Sequence, residues 1–231
     1  MLQSVPGSAE RDYEKELVNL AKEHGADLVG VANLRKLKGI LTFPPTLLGN
    51  WRNGVSIAVS LNKYGLYDDS TEDVYAFPRL TKIASRVCYF IEQEGFKARA
   101  IAADERIEEK PPLLWKGEIS HKAVAKAAGL GWIGKSLLLV TPEFGPRVCL
   151  TTVLTDMPLA TGSPVENACG KCTRCIVACP AKALRERIFE DHPESLEEVL
   201  DVGSCDTRVE NRPKGVDLCF ECALACPKGR R

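Results

Sequence analysis

The sequence predicts an α+β or α/β layer of about 160 residues followed by a small cysteine-rich unit. Two observations carry this. Segments of helical periodicity alternate with short β-rich runs from the N-terminus to about residue 155, the pattern of a layered domain. Beyond it, eight of the ten cysteines fall into two ordered runs. A chain of 231 residues is long enough for one large unit, placed at 1–160, and one small one, placed at 161–231.

Ala9 to His24 reads as an amphipathic helix, with Tyr13, Leu17, Leu20 and Ala21 on one face and Gly25 as its stop. Asp27 to Val31 reads as a buried strand. A loop containing Pro44, Pro45, Gly49 and Gly54 follows, then a second strand over Val55 to Leu61 and a polar loop over Asn62 to Thr71. Asp73 to Glu94 is the longest helix, ended by Gly95, and Lys97 to Ala102 is a third strand. Ala103 to Gly117, with Pro111, Pro112 and Trp115, is irregular. Ser120 caps a helix that runs to Ala128, with Gly129 as a left-handed stop. Ser136 to Val140 and Arg147 to Leu154 are β-rich, divided by a turn over Pro142 to Pro146. Met157 to Ala168 reads as a linker, and Ala181 to Val202 as a helix interrupted at Pro193.

The first cysteine run is Cys169, Cys172, Cys175 and Cys179, then Pro180. This is C-x2-C-x2-C-x3-C-P, the ligand spacing of a bacterial-type [4Fe–4S] site whose fourth cysteine serves the other cluster. The second run, Cys205, Cys219, Cys222 and Cys226 before Pro227, repeats it with a stretched first gap. Thiolates two residues apart on a tight turn wrap three corners of one cubane, and the fourth points away. Cys169, Cys172, Cys175 and Cys226 are therefore assigned to one cluster, and Cys179, Cys205, Cys219 and Cys222 to the other. This makes 161–231 a bacterial ferredoxin-like unit. Structural zinc uses C-x2-C pairs but has no need of a C-x2-C-x2-C triplet. Cys88, on the stripe Leu80, Ala84, Val87 and Ile91, and Cys149, in a strand-like run, read as small buried hydrophobes.

Formal charge sums to zero, which gives no electrostatic footprint for a long nucleic acid. There is no apolar signal-peptide core, twin arginine or run of about twenty apolar residues. The expectation is a soluble cytoplasmic protein without a membrane contact.

Gly129-Leu130-Gly131-Trp132-Ile133-Gly134 matches G-x-G-x-x-G, but it follows a helix, whereas the dinucleotide fingerprint follows a strand. The other readings are a helix C-cap and tight turn anchored by Trp132, or a surface that a flat cofactor approaches closely.

His121 to Lys135, read as HKAVAKAAGLGWIGK, with Leu137-Leu138-Leu139 and Leu154-Thr155-Asp156, resembles the epoxyqueuosine reductase family. That family carries an AGLGWIGK segment, an LTD segment and two four-cysteine runs in this order. The resemblance spans roughly Val55 to Pro227. It implies an α+β fold with a nitroreductase-like N-terminal domain, and a cobalamin-dependent iron–sulfur enzyme related to reductive dehalogenases. It further implies a pocket lined partly by Gly129, Gly131, Trp132, Gly134 and Lys135, into which one cluster passes electrons. The implied cofactors are two [4Fe–4S] clusters and cobalamin, ahead of flavin. The implied partners are a low-potential donor such as a ferredoxin or flavodoxin, and a small-molecule substrate ahead of tRNA.

Two departures stand out. The family's proton-donating aspartate lies in a D-[ST]-x-P segment, where this chain has Trp115-Lys116-Gly117-Glu118 on an ungapped count back from Trp132. Glu118 and His121 are the substitute acids within reach of that position, although Glu118 also suits an ion pair with Lys122 across one helical turn. The chain also stops soon after the second cysteine run, short of the region that contacts tRNA in longer relatives. The expected function is an iron–sulfur oxidoreductase of this group. The alternative is an electron-transfer or corrinoid-reducing partner without its own substrate.

Overall fold

The computed structural model describes residues 11–37, 39–61, 73–105, 117–187, 193, 195–205 and 219–230. The loop expected over Asn62 to Thr71 lies outside them, as does most of the stretch Ala103 to Gly117 with Pro111, Pro112 and Trp115.

The sheet is four-stranded and antiparallel throughout. It comprises β1 (Leu28–Asn33), β2 (Asn53–Ser60), β3 (Ala98–Ile101) and β6 (Val148–Thr155), in the order β1-β2-β6-β3. One face is covered by α1 (Tyr13–Glu23) and α2 (Asp73–Gln93), the other by α3 (His121–Ala127). Because both faces are covered, β2 is buried along its whole length. Its side chains are sorted by size. Val55, Ile57 and Val59 pack with Leu17, Leu80, Ile83 and Ile91 of α1 and α2. Gly54, Ser56, Ala58 and Ser60 alternate with them, and a methyl at Gly54 would stand 3.0 Å from Val124 of α3. Small residues on that face let α3 lie close. A fully buried Ile or Leu here contributes about 2–3 kcal/mol.

Local chemistry sets the helix ends. The Asp12 carboxylate accepts from the Lys15 amide at the start of α1. The Ser120 hydroxyl accepts from the Ala123 amide at the start of α3. At its far end the Leu130 amide donates to Ala125 and the Gly129 amide to Lys126, with Gly129 at φ +81. These paired bonds form a Schellman motif, which needs the left-handed residue. Directly after it, β4 (Trp132–Ile133) pairs with β5 (Leu139–Val140) in a two-stranded ribbon.

Several expectations are corrected. Gly54 belongs to β2, not to the preceding loop, and β2 begins at Asn53 because Arg52 and Asn53 continue the pairing with Thr155. Trp132 and Ile133 form a strand that apolar periodicity did not mark. The run Ser136 to Val140 is β only at its end. The helix expected over Ala181 to Val202 is absent from the described part of that span. Leu184 bridges Leu200 in an antiparallel sense, Arg185 and Asp201 donate to Val199 and Ala183, and the described helical residues of the span are Leu196–Glu198, as one 3-10 turn, and Val202, where a helical stretch over 202–205 begins. The linker Met157 to Ala168 has no regular structure, yet Met157 and Leu159 are buried in the main core.

Both cysteine runs contain one short helix, α4 (Arg174–Ala178) and α5 (Glu221–Ala225), and the two pack together. Each is closed by a cysteine in extended conformation, Cys179 at ψ 111 and Cys226 at ψ 125. The following Pro180 and Pro227 disfavour the helical region at those residues. No helix among the described residues is long and apolar enough to cross a membrane.

Candidate metal centre

A cavity of about 40 Å³ lies where the sheet domain meets the cysteine-rich segment. Cys169, Cys172, Cys175 and Cys226 line it, with Gly134, Lys135 and Val140 from the sheet domain. Burial pushes the Cys175 thiol up, and neighbouring Cys169, Cys226 and Cys172 push it further. The Cys222 thiol is pushed up to about 12, first by burial and then by Cys219, Cys175, Cys179 and Cys205. Cys175 thus feels Cys169, Cys226 and Cys172, whereas Cys222 feels Cys175 as well as Cys219, Cys179 and Cys205. Burial and mutual repulsion both oppose ionisation there, so four thiolates side by side call for a cationic core. The first set of soft donors encloses a shared space, which suits a polynuclear cluster. Among the described residues no three His, Cys, Asp or Glu side chains converge on a point that one metal ion would fill.

Two side chains of the sheet domain reach into this region. The buried Trp132 indole Nε1–H donates to Cys169 Sγ at 3.4 Å. Lys135, only 3% exposed, donates from Nζ to Glu186 Oε1 at 3.3 Å. A third group, Arg147, holds the second run. Its guanidinium donates to the carbonyls of Ala223 (3.1 Å), Cys226 (3.2 Å) and Lys228. Burial pushes the Cys226 thiol up, and the Lys228 backbone and the Arg147 guanidinium only partly offset it. Sequence reading missed this role for Arg147; the only signal is a lone arginine at the head of a buried apolar strand.

The glycines of the loop are packed against protein. A methyl at Gly129 would lie 2.6 Å from the Ser163 carbonyl, and one at Gly131 would overlap the Val140 carbonyl. At Gly134 it would meet Val140 Cγ2 at 2.8 Å and Cys169 Sγ at 3.4 Å. Small residues here let α3, the ribbon and the linker close on one another.

The two candidate acids are engaged elsewhere. Glu118 is paired with Arg99 at 2.6 Å rather than with Lys122, and it pushes the Glu105 carboxyl up, in addition to burial. Lys122 instead donates to the Leu137 carbonyl at 2.7 Å, and burial holds its ammonium below the usual range. His121 Nε2–H donates to the Ala102 carbonyl (3.0 Å) and Nδ1 accepts from the Thr152 hydroxyl (2.8 Å). Burial lowers its pKa, which favours this neutral form. Cys88 and Cys149 pack against the main core, and burial pushes the Cys88 thiol up to about 11.

A second cavity, of about 180 Å³, lies on the flank of α3 between Asn33, Lys36, Lys126 and Thr161 to Pro164. Both cavities are smaller than the roughly 300–1,000 Å³ that encloses a drug-sized ligand. Neither of these two cavities has the volume to enclose a corrinoid.

No family model matches the chain. The epoxyqueuosine reductase of Bacillus anthracis is 35% identical over 125 residues, 49% of this chain and 30% of that protein. The epoxyqueuosine reductase of a Synechococcus strain is 28% identical over 250 residues, 98% of this chain and 70% of that protein. The solved epoxyqueuosine reductase of Streptococcus thermophilus superposes with TM-score 0.65 at 21% identity, over 95% of this chain and 66% of that one. A B12-dependent reductive dehalogenase superposes with TM-score 0.71 at 18% identity, over 99% of this chain and 34% of that one. The match thus spans about a third of the Bacillus protein's length. The chain shares a mixed α/β fold with both enzymes and, along nearly its whole length, resembles the epoxyqueuosine reductases.

Proposed function

We propose that the protein is an iron–sulfur oxidoreductase in which the unit 161–231 holds two [4Fe–4S] clusters and delivers electrons to an acceptor at the sheet domain. The observation that carries this reading is the cavity bordered by Cys169, Cys172, Cys175 and Cys226, against which Trp132 and Lys135 of the sheet domain are set. Cys179, Cys205, Cys219 and Cys222 are the ligands proposed for the second cluster, from their order and spacing in the two runs. When bound, such clusters supply one-electron transfer at low potential. The chain's own part is to fix the ligand sulfurs, exclude water and set the electrostatics around them. In fold terms the sheet domain is read as nitroreductase-like and the cluster unit as ferredoxin-like.

A corrinoid acceptor is the reading that the relatives favour, one of them being described as B12-dependent. The second reading is an electron-transfer or corrinoid-reducing partner without its own substrate. The engagement of Glu118 and His121 in pairs with Arg99, Thr152 and Ala102 favours it. One solved epoxyqueuosine reductase is described with a modified tRNA stem loop; for this chain a small-molecule acceptor and a ferredoxin- or flavodoxin-class donor are proposed. The test is titration of the reconstituted full chain with cobalamin. Saturable spectral change at one equivalent supports a resident corrinoid, and no change supports the electron-transfer reading.

A further inference from the structure

Trp132 is held with little freedom. It is 3% exposed, its backbone pairs with Val140 in the ribbon, and the neighbouring Gly131 abuts the Val140 carbonyl so closely that a methyl would not fit. An indole N–H can only donate. Here it donates to Cys169 Sγ at 3.4 Å, and Gly134 brings the backbone of the same loop to that sulfur. A buried donor locked onto one thiol is an electrostatic element as well as a packing one.

We infer that Trp132 is a positioning residue that sets the redox potential of the cluster held by Cys169, Cys172, Cys175 and Cys226, through its N–H bond to the Cys169 sulfur. This rests on the cluster reading above. When one electron from an external low-potential donor enters the cluster, no bond is made or broken and no proton is required. The negative charge on the ligand sulfurs grows, so the indole dipole interacts more strongly with the reduced form than with the oxidised one. Hydrogen bonds to cluster sulfurs are among the levers that fix such potentials. The consequence is selective. The indole's single N–H is directed at Cys169, so its effect falls mainly on this cluster. Trp132 thereby makes the cluster against the sheet domain easier to reduce than it would be without the N–H.

The experiment is a redox titration, followed by EPR, of the reconstituted full chain as wild type, Trp132→Phe and Trp51→Phe. Trp132→Phe keeps a ring in place and removes the N–H; Trp51, which packs in a separate cluster with Leu34 and Leu47, is the control. Cys169→Ser marks which of the two midpoints belongs to the Cys169 set. The expected result is a more negative midpoint chiefly for that cluster in Trp132→Phe, with full iron content and with both midpoints unmoved in Trp51→Phe. Unmoved midpoints in iron-replete Trp132→Phe would overturn the inference. Should Trp132→Phe lose its clusters, wild-type protein with 15N-indole tryptophan decides. A 15N coupling at the reduced cluster that survives Trp51→Phe and Trp115→Phe supports the bond, and its absence overturns it. Wild-type protein that takes up no iron overturns the cluster reading itself, a different outcome from either.

Discussion

Gly131 and Gly49 differ in what surrounds them, and the difference is measurable. A methyl at Gly131 would overlap the Val140 carbonyl, whereas Gly49 has nothing within 4 Å of the same position. Gly131→Ala is expected to destabilise the fold by about 3 kcal/mol, the upper end of overpacking costs, and Gly49→Ala to stay within about 0.5 kcal/mol. Denaturant unfolding of both variants checks this; equal midpoints would contradict the packed description of the loop. The sequence alone left this loop with three readings, because G-x-G-x-x-G says where backbones come close but not what comes close. The neighbours are Ser163 and Val140. His121 carries a prediction in pH. Its folded pKa lies below the ordinary imidazole value of about 6.5. Between those two values the unfolded chain binds a proton that the folded chain does not, so stability falls as pH drops from about 6.5. His121→Gln keeps a donor for Ala102 and an acceptor for Thr152 but cannot titrate. Its unfolding free energy, followed from pH 8 to 5, is expected to lose that part of the slope; an unchanged slope would contradict the assignment.

At the scale of elements, the two cysteine helices are set by spacing that is local in sequence. Cys175 and Cys179, like Cys222 and Cys226, sit one helical turn apart, and a proline ends each turn. The helix expected over Ala181 to Val202 failed because long-range pairing overrides local propensity: Leu184 bridges Leu200, and Arg185 donates to Val199. Gly54 was misread for a similar reason, since the space it leaves is filled by Leu34 and Val124, distant in sequence. Arg147 acts across elements. It ties the head of β6 to α5 and the residues after it through three carbonyls. Arg147→Met leaves those carbonyls without the cation, at a cost of about 3 kcal/mol. The expected local signature is at least tenfold faster amide exchange over 219–230 with β2 and β6 still protected. Unchanged exchange there would show that the segment is held by other contacts.

For the whole molecule, the three-layer domain brings α3, the glycine loop and the ribbon to one edge, and the C-terminal segment returns to that edge under Arg147. The cavity lined by Cys169, Cys172, Cys175 and Cys226 lies at this junction. An electron carried by the cysteine-rich unit would thus reach the sheet domain beside Trp132 and Lys135. Sequence alone suggests a grouping of the cysteines but cannot find this junction, because Trp132, Lys135 and Arg147 lie 34 or more residues from most of the cysteines near them. The central claim is that eight thiols hold two cubanes. Its most direct test is iron, labile sulfide, zinc, cobalt and flavin analysis of one anaerobically reconstituted sample of the full chain. About eight irons and eight sulfides per chain are expected; about two zinc ions with no labile sulfide would contradict it.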